Sequence, residues 1–355
     1  MSPLSPLSPP SPTYPPSPTY PRMPAEWAEH EACLMAWPTR PALWGPAFEA
    51  ARSEYATVAR AIADFEPVIM IAAADSVDEA RAVFGDDPGI EVIELPIDDS
   101  WLRDSGPIFA YDEQGDRVGV DFRFNAWGEK HYPWTADDKL ASLLLDRLGI
   151  PRAHSSMILE GGAVTVDGEG TLITTEQCLL HPNRNPRMSR AEIEDEIKRR
   201  LGVEKIIWLP YGGLEDTETD GHVDGVAAFV APGTVVLSLP EDPAHPDHAR
   251  MRANLAVLEA STDARGRALR VVAVPQTTHG EVEGHPVEVC YLNFYLANGG
   301  CVVPVGGTPE DEAALAVLAE ALPGRKVVGV PAPVLAFGGG GIHCITQQLP
   351  KDLNA

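Results

Sequence analysis

Short apolar strands alternate with amphipathic helices along most of the chain, and no other feature narrows the fold as far. Around 46–64, Phe48, Ala51, Tyr55, Ala59, Ile62 and Phe65 recur every three or four residues, which predicts a helix with one apolar face. PVIMIAAA (67–74) and GIEVIELP (89–96) are apolar enough to predict buried strands. Further helices are predicted at about 136–148, 189–201, 246–262 and 309–321. GAVTVDGEGTLITT (162–175) predicts a strand pair turned at Asp-Gly-Glu-Gly. Strands followed by one helix, recurring roughly every 50–60 residues, predict repeated α/β modules in one domain.

The ends and the charge set further bounds. The first 22 residues, MSPLSPLSPPSPTYPPSPTYPR, repeat SPTYP and hold too few apolar side chains for a core. Polyproline II or disorder is expected there, with a role as a polyproline ligand as the alternative, and one folded domain over 23–355. No run of about 18 apolar residues occurs, so no membrane span is expected. The N-terminus lacks the basic segment and apolar stretch of a signal peptide, which predicts a cytoplasmic protein. Five scattered cysteines without CxxC spacing argue against a disulfide framework or zinc knuckle. A net charge of −25 repels nucleic acid and anionic lipid and suits a small cationic ligand. A homo-oligomer is left open.

Four stretches place reactive side chains beside turns. In DDSWLRDSGPIF (98–109), Asp104 stands between an arginine and Ser-Gly-Pro, where a turn is expected before a strand. In MILEGGAVTVDG (157–168), Glu160 follows an apolar run; a carboxylate there needs either water or a partner, because an unpaired buried charge is expensive. In ETDGHVDGVAAFVAPG (218–233), His222 and Asp224 are two apart on an apparent strand and would share a face. Such a pair suits proton transfer or half a metal site. LAFGGGGIHCITQQLP (335–350) runs four glycines into a lone thiol, Cys344. Glycines permit positive φ and close approach, but no GK[ST] follows, so this is not a phosphate loop. Most free cysteines are small buried hydrophobes; this one reads as a thiol presented into a pocket.

Taken together, MPAEWAEHEACLMAWPTR, DDSWLRDSGP, LEGGAVTVDGEGTLITTEQCLLHPNRNP, WLPYG, TDGHVDG, YLNFYLANGG and GGGGIHCITQQLP resemble the agmatine deiminases, in the peptidyl-arginine-deiminase-like branch of the guanidino-group-modifying enzymes. The resemblance spans about 23–350. It implies a five-bladed α/β propeller (pentein fold) of ββαβ modules, with the active site in a central channel. It implies hydrolysis of a guanidinium without metal or organic cofactor: agmatine to N-carbamoylputrescine and ammonia, a step of putrescine and polyamine metabolism. Carried over motif by motif, Cys344 is the nucleophile, His222 the general acid/base with Glu160 beside it, and Asp104 and Asp224 the guanidinium grip. Free or peptidyl arginine, or another guanidine, is the alternative substrate. Asp216 or Glu218 would receive agmatine's distal amine, and Trp101 would wall the pocket.

The chemistry suits these residue types. A guanidinium carbon is a poor electrophile, so it calls for a thiolate rather than a hydroxyl. Paired carboxylates match the planar N–H donors of the cation. They also disfavour a thiolate, which leads us to expect that Cys344 ionises only when the substrate cation docks. A metallohydrolase using His222, Asp224, Glu160 and His343 is the competing enzymatic reading; a non-catalytic binding protein is the other.

Overall fold

A computed structural model describes residues 22–354 of the protein. The Pro/Ser-rich tail expected over 1–22 lies outside the described residues except for Arg22. That residue belongs to the fold, since its N–H donates to Tyr111 O at 2.5 Å.

Among the described residues there are six small sheets, and five share a plan. An antiparallel pair is followed, across a helix, by a third strand parallel to the second. Ile108–Tyr111, Arg117–Arg123 and Arg152–Ile158 form one such sheet, and Thr165–Val166, Thr171–Thr175 and Lys205–Leu209 the next. Ala227–Ala231, Thr234–Ser238 and Arg270–Val274 form a third; Tyr295–Ala297, Gly300–Val305 and Lys326–Pro331 a fourth. In the fifth, the last strand of the chain, Thr346–Pro350, lies antiparallel to His30–Ala36, with Cys33 opposite Gln348. Val68–Ala72 and Ile90–Glu94 extend that sheet in parallel. The chain thus closes on itself, and the segment just before Thr346 is anchored by the first strand. The sixth sheet is a separate hairpin, Thr277–Val282 with His285–Cys290.

The predicted helices occur at Phe48–Ala63, Asp137–Leu148, Arg190–Leu201, His248–Glu259 and Asp311–Ala321. Local chemistry fixes their ends. Ser189 and Glu192 form a reciprocal capping box, and Gly149 and Gly202 take the left-handed conformation that ends a helix. Ala51, Tyr55, Ala59 and Ile62 of the first join Cys33, Met35, Val68 and Met70 in one core. Fully burying a side chain such as Ile62 contributes about 1.5–3 kcal/mol. The Asp-Gly-Glu-Gly hairpin is present, its turn held by Asp167 Oδ1 accepting from Glu169 and Thr171 N–H at 2.8 Å.

One expectation is corrected. His222 and Asp224 are not on a strand: His222 precedes a 3-10 turn, Val223–Gly225, and the strand begins at Ala227. Positive φ at Asp220 and Gly221 breaks the extended run. Among the described residues no helix is long and apolar enough to cross a membrane.

Candidate active site

The glycine run has a steric reason. The helix Pro333–Phe337 is capped by Glu54, whose carboxylate accepts from Val334 and Leu335 N–H at 3.0 and 2.7 Å. A Cβ on Gly338 would lie 2.3 Å from the Trp44 ring, one on Gly340 2.4 Å from Trp101, and one on Gly341 2.5 Å from Asn293 Oδ1. Gly339 alone of the four takes positive φ, at 95°. The backbone is thereby pressed against two tryptophans and turns at 342–345 into the last strand. Thr346 N–H donates to His343 O at 3.1 Å and its hydroxyl to Ile342 O at 2.9 Å. Asn293 O accepts from His343 N–H and Asn293 Oδ1 from Cys344 N–H, while Arg103 N–H donates to Cys344 O. Cys344 is 7% exposed, its Sγ 3.3 Å from Asn293 Oδ1 and 3.6 Å from Asp224 Oδ2.

Three further groups converge on Gly162. A Cβ there would sit 2.6 Å from His222 Nδ1, 2.9 Å from Asp224 Oδ2 and 3.0 Å from Asp104 Oδ1. Gly162 N–H donates to Asp104 Oδ1 at 3.0 Å, and Trp127 Nε1–H to Asp104 Oδ2 at 2.9 Å. Trp127 comes from a left-handed stretch, with φ of 51°, 55°, 95° and 64° from Ala126 to Glu129. Left-handed backbone costs roughly 1–2 kcal/mol per non-glycine residue, and strain of this kind gathers at functional sites. His222 is presented by a loop tied through Asp216, which accepts from Thr219 and Gly221 N–H, and through Thr219 Oγ1, which accepts from His222 N–H at 3.0 Å. Neither ring nitrogen of buried His222 bonds a nitrogen or oxygen among the described residues; the buried Cys178 thiol stands beside the ring, and Asp104 Oδ1 lies 3.9 Å from Nδ1. Glu160, fully buried, is bound by Arg184 Nε at 2.5 Å. Arg184 also binds Asp220, which Lys130 reaches from outside.

The charges are mutually dependent. Burial pushes Cys344 well up from its ordinary value, and Asp224 and Asp104 push it further. Burial works against the charge of His222, but Asp104 and Glu160 outweigh it and hold His222 well above its ordinary range. Burial raises Cys178 beside it, so that neighbour is a neutral thiol and the carboxylates do the holding. Asp104 is pushed up by burial and pulled back by His222, 3.9 Å away; we place the shared proton on His222, which two carboxylates flank. Burial would raise Asp224 too, but His343 brings it below its ordinary value.

Cys344 opens on a cleft of about 960 Å³, lined also by His222, Asp224, Asp216 and Glu218, and on a smaller recess of about 350 Å³ with Trp101, Trp127 and Asp104. Eight carboxylates line the two, and no lysine or arginine among the described residues does. Trp101 stacks on Trp44 beside Cys344. Glu218 reaches both spaces and bonds His131 at 2.9 Å, whereas both oxygens of Asp216 are taken by the His222 loop. Among the described residues, one group has metal-ligand spacing: Glu160, Cys178 and His222, with donor atoms within 4.8 Å of one another. Asp224 and His343 are not in it, which removes the four-residue metal set from consideration. Arg184 already offsets the charge of Glu160, which weakens the trio as a site for a dication.

The family model of the Porphyromonas-type peptidyl-arginine deiminases matches residues 22–350. The chain belongs to that family. Within it, an agmatine deiminase of Pseudomonas aeruginosa (strain LESB58) is 44% identical, over 94% of this chain and 96% of its own. The agmatine deiminase structure from Enterococcus faecalis superposes with a TM-score of 0.89 at 35% identity, covering 94% of this chain and 96% of that one. A C. jejuni agmatine deiminase, a cysteine-to-serine variant with substrate bound, superposes at 0.84 with 28% identity, covering 94% and 97%. These neighbours place the α/β fold in the pentein superfamily. Within the deiminase site, sequence reasoning missed Arg184, Asn293, Trp127, Cys178 and Glu26. The signal for Arg184 was the demand of buried Glu160 for a cation; Asn293 stood in YLNFY without a stated use; Trp127 left no signal.

Proposed function

We propose that this chain hydrolyses agmatine to N-carbamoylputrescine and ammonia through a covalent bond to Cys344. One observation carries the reading: a thiol, two carboxylates and an imidazole meet on a cleft lined by acids and, among the described residues, by no lysine or arginine. On this reading Asp104 and Asp224 hold the guanidinium in its plane with its carbon against Sγ, so their contribution is alignment. The cation offsets their charge, and the thiol proton leaves to solvent. The thiolate adds to carbon, and one C=N electron pair moves to nitrogen, giving a neutral adduct. His222 gives its proton to an amino group, ammonia departs, and a thiouronium cation remains. Neutral His222 takes a proton from water; hydroxide adds, and collapse to the ureido product expels the sulfur. Such acid/base help is worth about 10²–10⁴-fold. Glu218 is the better candidate for the distal amine, because Asp216 is spent on its loop.

The same reading takes 23–355 as a single cytoplasmic catalytic domain, with the five like sheets arranged as blades around a central channel. The test is denaturing mass spectrometry of enzyme quenched during turnover, with rates on agmatine and arginine measured in a chelator. An adduct on the Cys344 peptide, preference for agmatine and full activity in chelator are expected, with loss in Cys344→Ala. Turnover without an adduct, or abolished by the chelator, would defeat the mechanism; preference for arginine would defeat the substrate.

A further inference from the structure

His343 stands beside the nucleophile, yet no step above uses it. Its Nδ1 lies 2.9 Å from Asp224 Oδ2, and its Nε2 lies 2.9 and 3.1 Å from the two oxygens of Glu26. A neutral imidazole carries one N–H and one lone pair, so one of these contacts would set a lone pair against a carboxylate. With a carboxylate on each nitrogen, only the imidazolium satisfies both. Glu26 is itself gripped by Arg103, 3.4 Å away, whose Nη1 also donates to Gln348 at 2.7 Å. The series Arg103, Glu26, His343, Asp224 alternates in sign and ends at the oxygen 3.6 Å from Cys344 Sγ.

We propose that His343, held as an imidazolium by Glu26, is the positioning residue that fixes Asp224 for the substrate guanidinium. This rests on the deimination reading and assigns a use to the MPAEW segment, which that reading left without one. His343 is not a proton donor in the reaction: both its nitrogens are bonded to carboxylates, whereas neither nitrogen of His222 is. Nor does its ring hold the Cys344 turn. Main-chain atoms do that, through His343 N–H to Asn293 O at 2.9 Å, Arg103 Nε to His343 O at 3.2 Å and Thr346 N–H to His343 O. Burial opposes charge on His343, as does Arg103, yet Glu26 and Asp224 raise it above its ordinary value. Burial would lift Glu26, but His343 and Arg103 bring it down to about 2. Both directions agree with the geometry.

The test is steady-state deimination of agmatine by full-length His343→Ala, His343→Gln and Glu26→Ala, with melting temperatures. A lost charge-assisted hydrogen bond to Asp224 should lower kcat/KM of His343→Ala roughly ten- to hundred-fold, mostly through KM, because Asp224 grips the cation before the chemical step. His343→Gln can donate an amide N–H to Asp224 and should recover much of the loss; Glu26→Ala should shift KM the same way by less. A folded His343→Ala with unchanged KM would overturn the proposal. So would a His343→Gln as impaired as His343→Ala, since lost ring volume would then be the cause. Should His343→Ala not fold, an unchanged KM in Glu26→Ala overturns it instead. Failure of the wild type to act on agmatine would fell the deimination reading, whereas an active wild type with indifferent variants fells this inference alone.

Discussion

Adding one methyl group at Gly162 tests the site's convergence directly. The new Cβ would stand 2.6, 2.9 and 3.0 Å from His222 Nδ1, Asp224 Oδ2 and Asp104 Oδ1, where ordinary contact begins near 3.4 Å. The imidazole must therefore retreat by up to about 0.8 Å (3.4 minus 2.6) unless the backbone moves. Misplacement on the order of 1 Å costs about a hundredfold in rate, or about 2.7 kcal/mol of barrier, so Gly162→Ala should lose roughly ten- to a hundredfold in kcat. Stability should suffer less. Gly162 does not adopt positive φ, so alanine is not strained there. Overpacking costs about 1–3 kcal/mol, and the stiffer unfolded chain returns about 0.4–1 kcal/mol. Ammonia release and calorimetry on the same preparation separate the two effects. A Gly162→Ala enzyme within about threefold of wild-type kcat would refute the argument, because the three groups would then not be held where their contact requires.

Other consequences follow from the charges. Burial, then Asp224 and Asp104, keep Cys344 protonated in the free enzyme, so a non-reactive guanidine should lower the midpoint of thiolate ultraviolet absorbance; an unmoved midpoint contradicts substrate-assisted ionisation. Burial pushes Glu54 up to about 7 from 4.5, against the two N–H groups it caps. A raised carboxyl contributes stability that is complete below its unfolded value and lost as pH climbs through the folded one. The wild type should thus lose melting temperature across that window and Glu54→Gln should not; parallel curves would count against it. Arg184→Met strands Glu160 without its cation and should cost about 3–5 kcal/mol in denaturant unfolding. The double change with Glu160→Leu should be milder, and additive losses would show the pair uncoupled.

Much of the fold was legible because its signals are local. Ser189 with Glu192, and the glycines at 149 and 202, bound helices that periodicity had already located. The helix Val77–Phe84 escaped because eight residues hold barely two turns of pattern. The apolar run from Val226 suggests a strand reaching back to His222 and Asp224, although Asp216 and Thr219 tie that segment into a loop. The individual reactive groups showed through their oddity: a thiol after four glycines, a carboxylate after an apolar run. Their partners did not. Glu26 and His343 are 317 residues apart, Cys344 and Asn293 51, and nothing in the intervening chain announces either pairing. Hydrogen-bond partners across such distances are a property of the closed chain, in which the last strand must find the first before Cys344 has a turn to sit on.

That closure also bears on how the sulfur is kept quiet. Behind the cleft, charges are matched within the protein: Glu160 by Arg184, Glu26 by Arg103, Asp224 by His343. Toward the cleft the matching is incomplete: Arg40 pairs with Asp99 and Arg250 with Asp247, but no lysine or arginine among the described residues lines the cleft itself. The missing positive charge must be supplied by whatever docks. A neutral compound of the same shape adds no charge to offset Asp224 and Asp104 beside Cys344 and leaves the thiol protonated, so it is rejected twice, once in binding and once in reactivity. A cation satisfies both at one contact. Selectivity and activation are thus the same electrostatic event, which is why burying a nucleophile among carboxylates, unfavourable for any thiolate in isolation, is workable when the substrate carries the counter-charge.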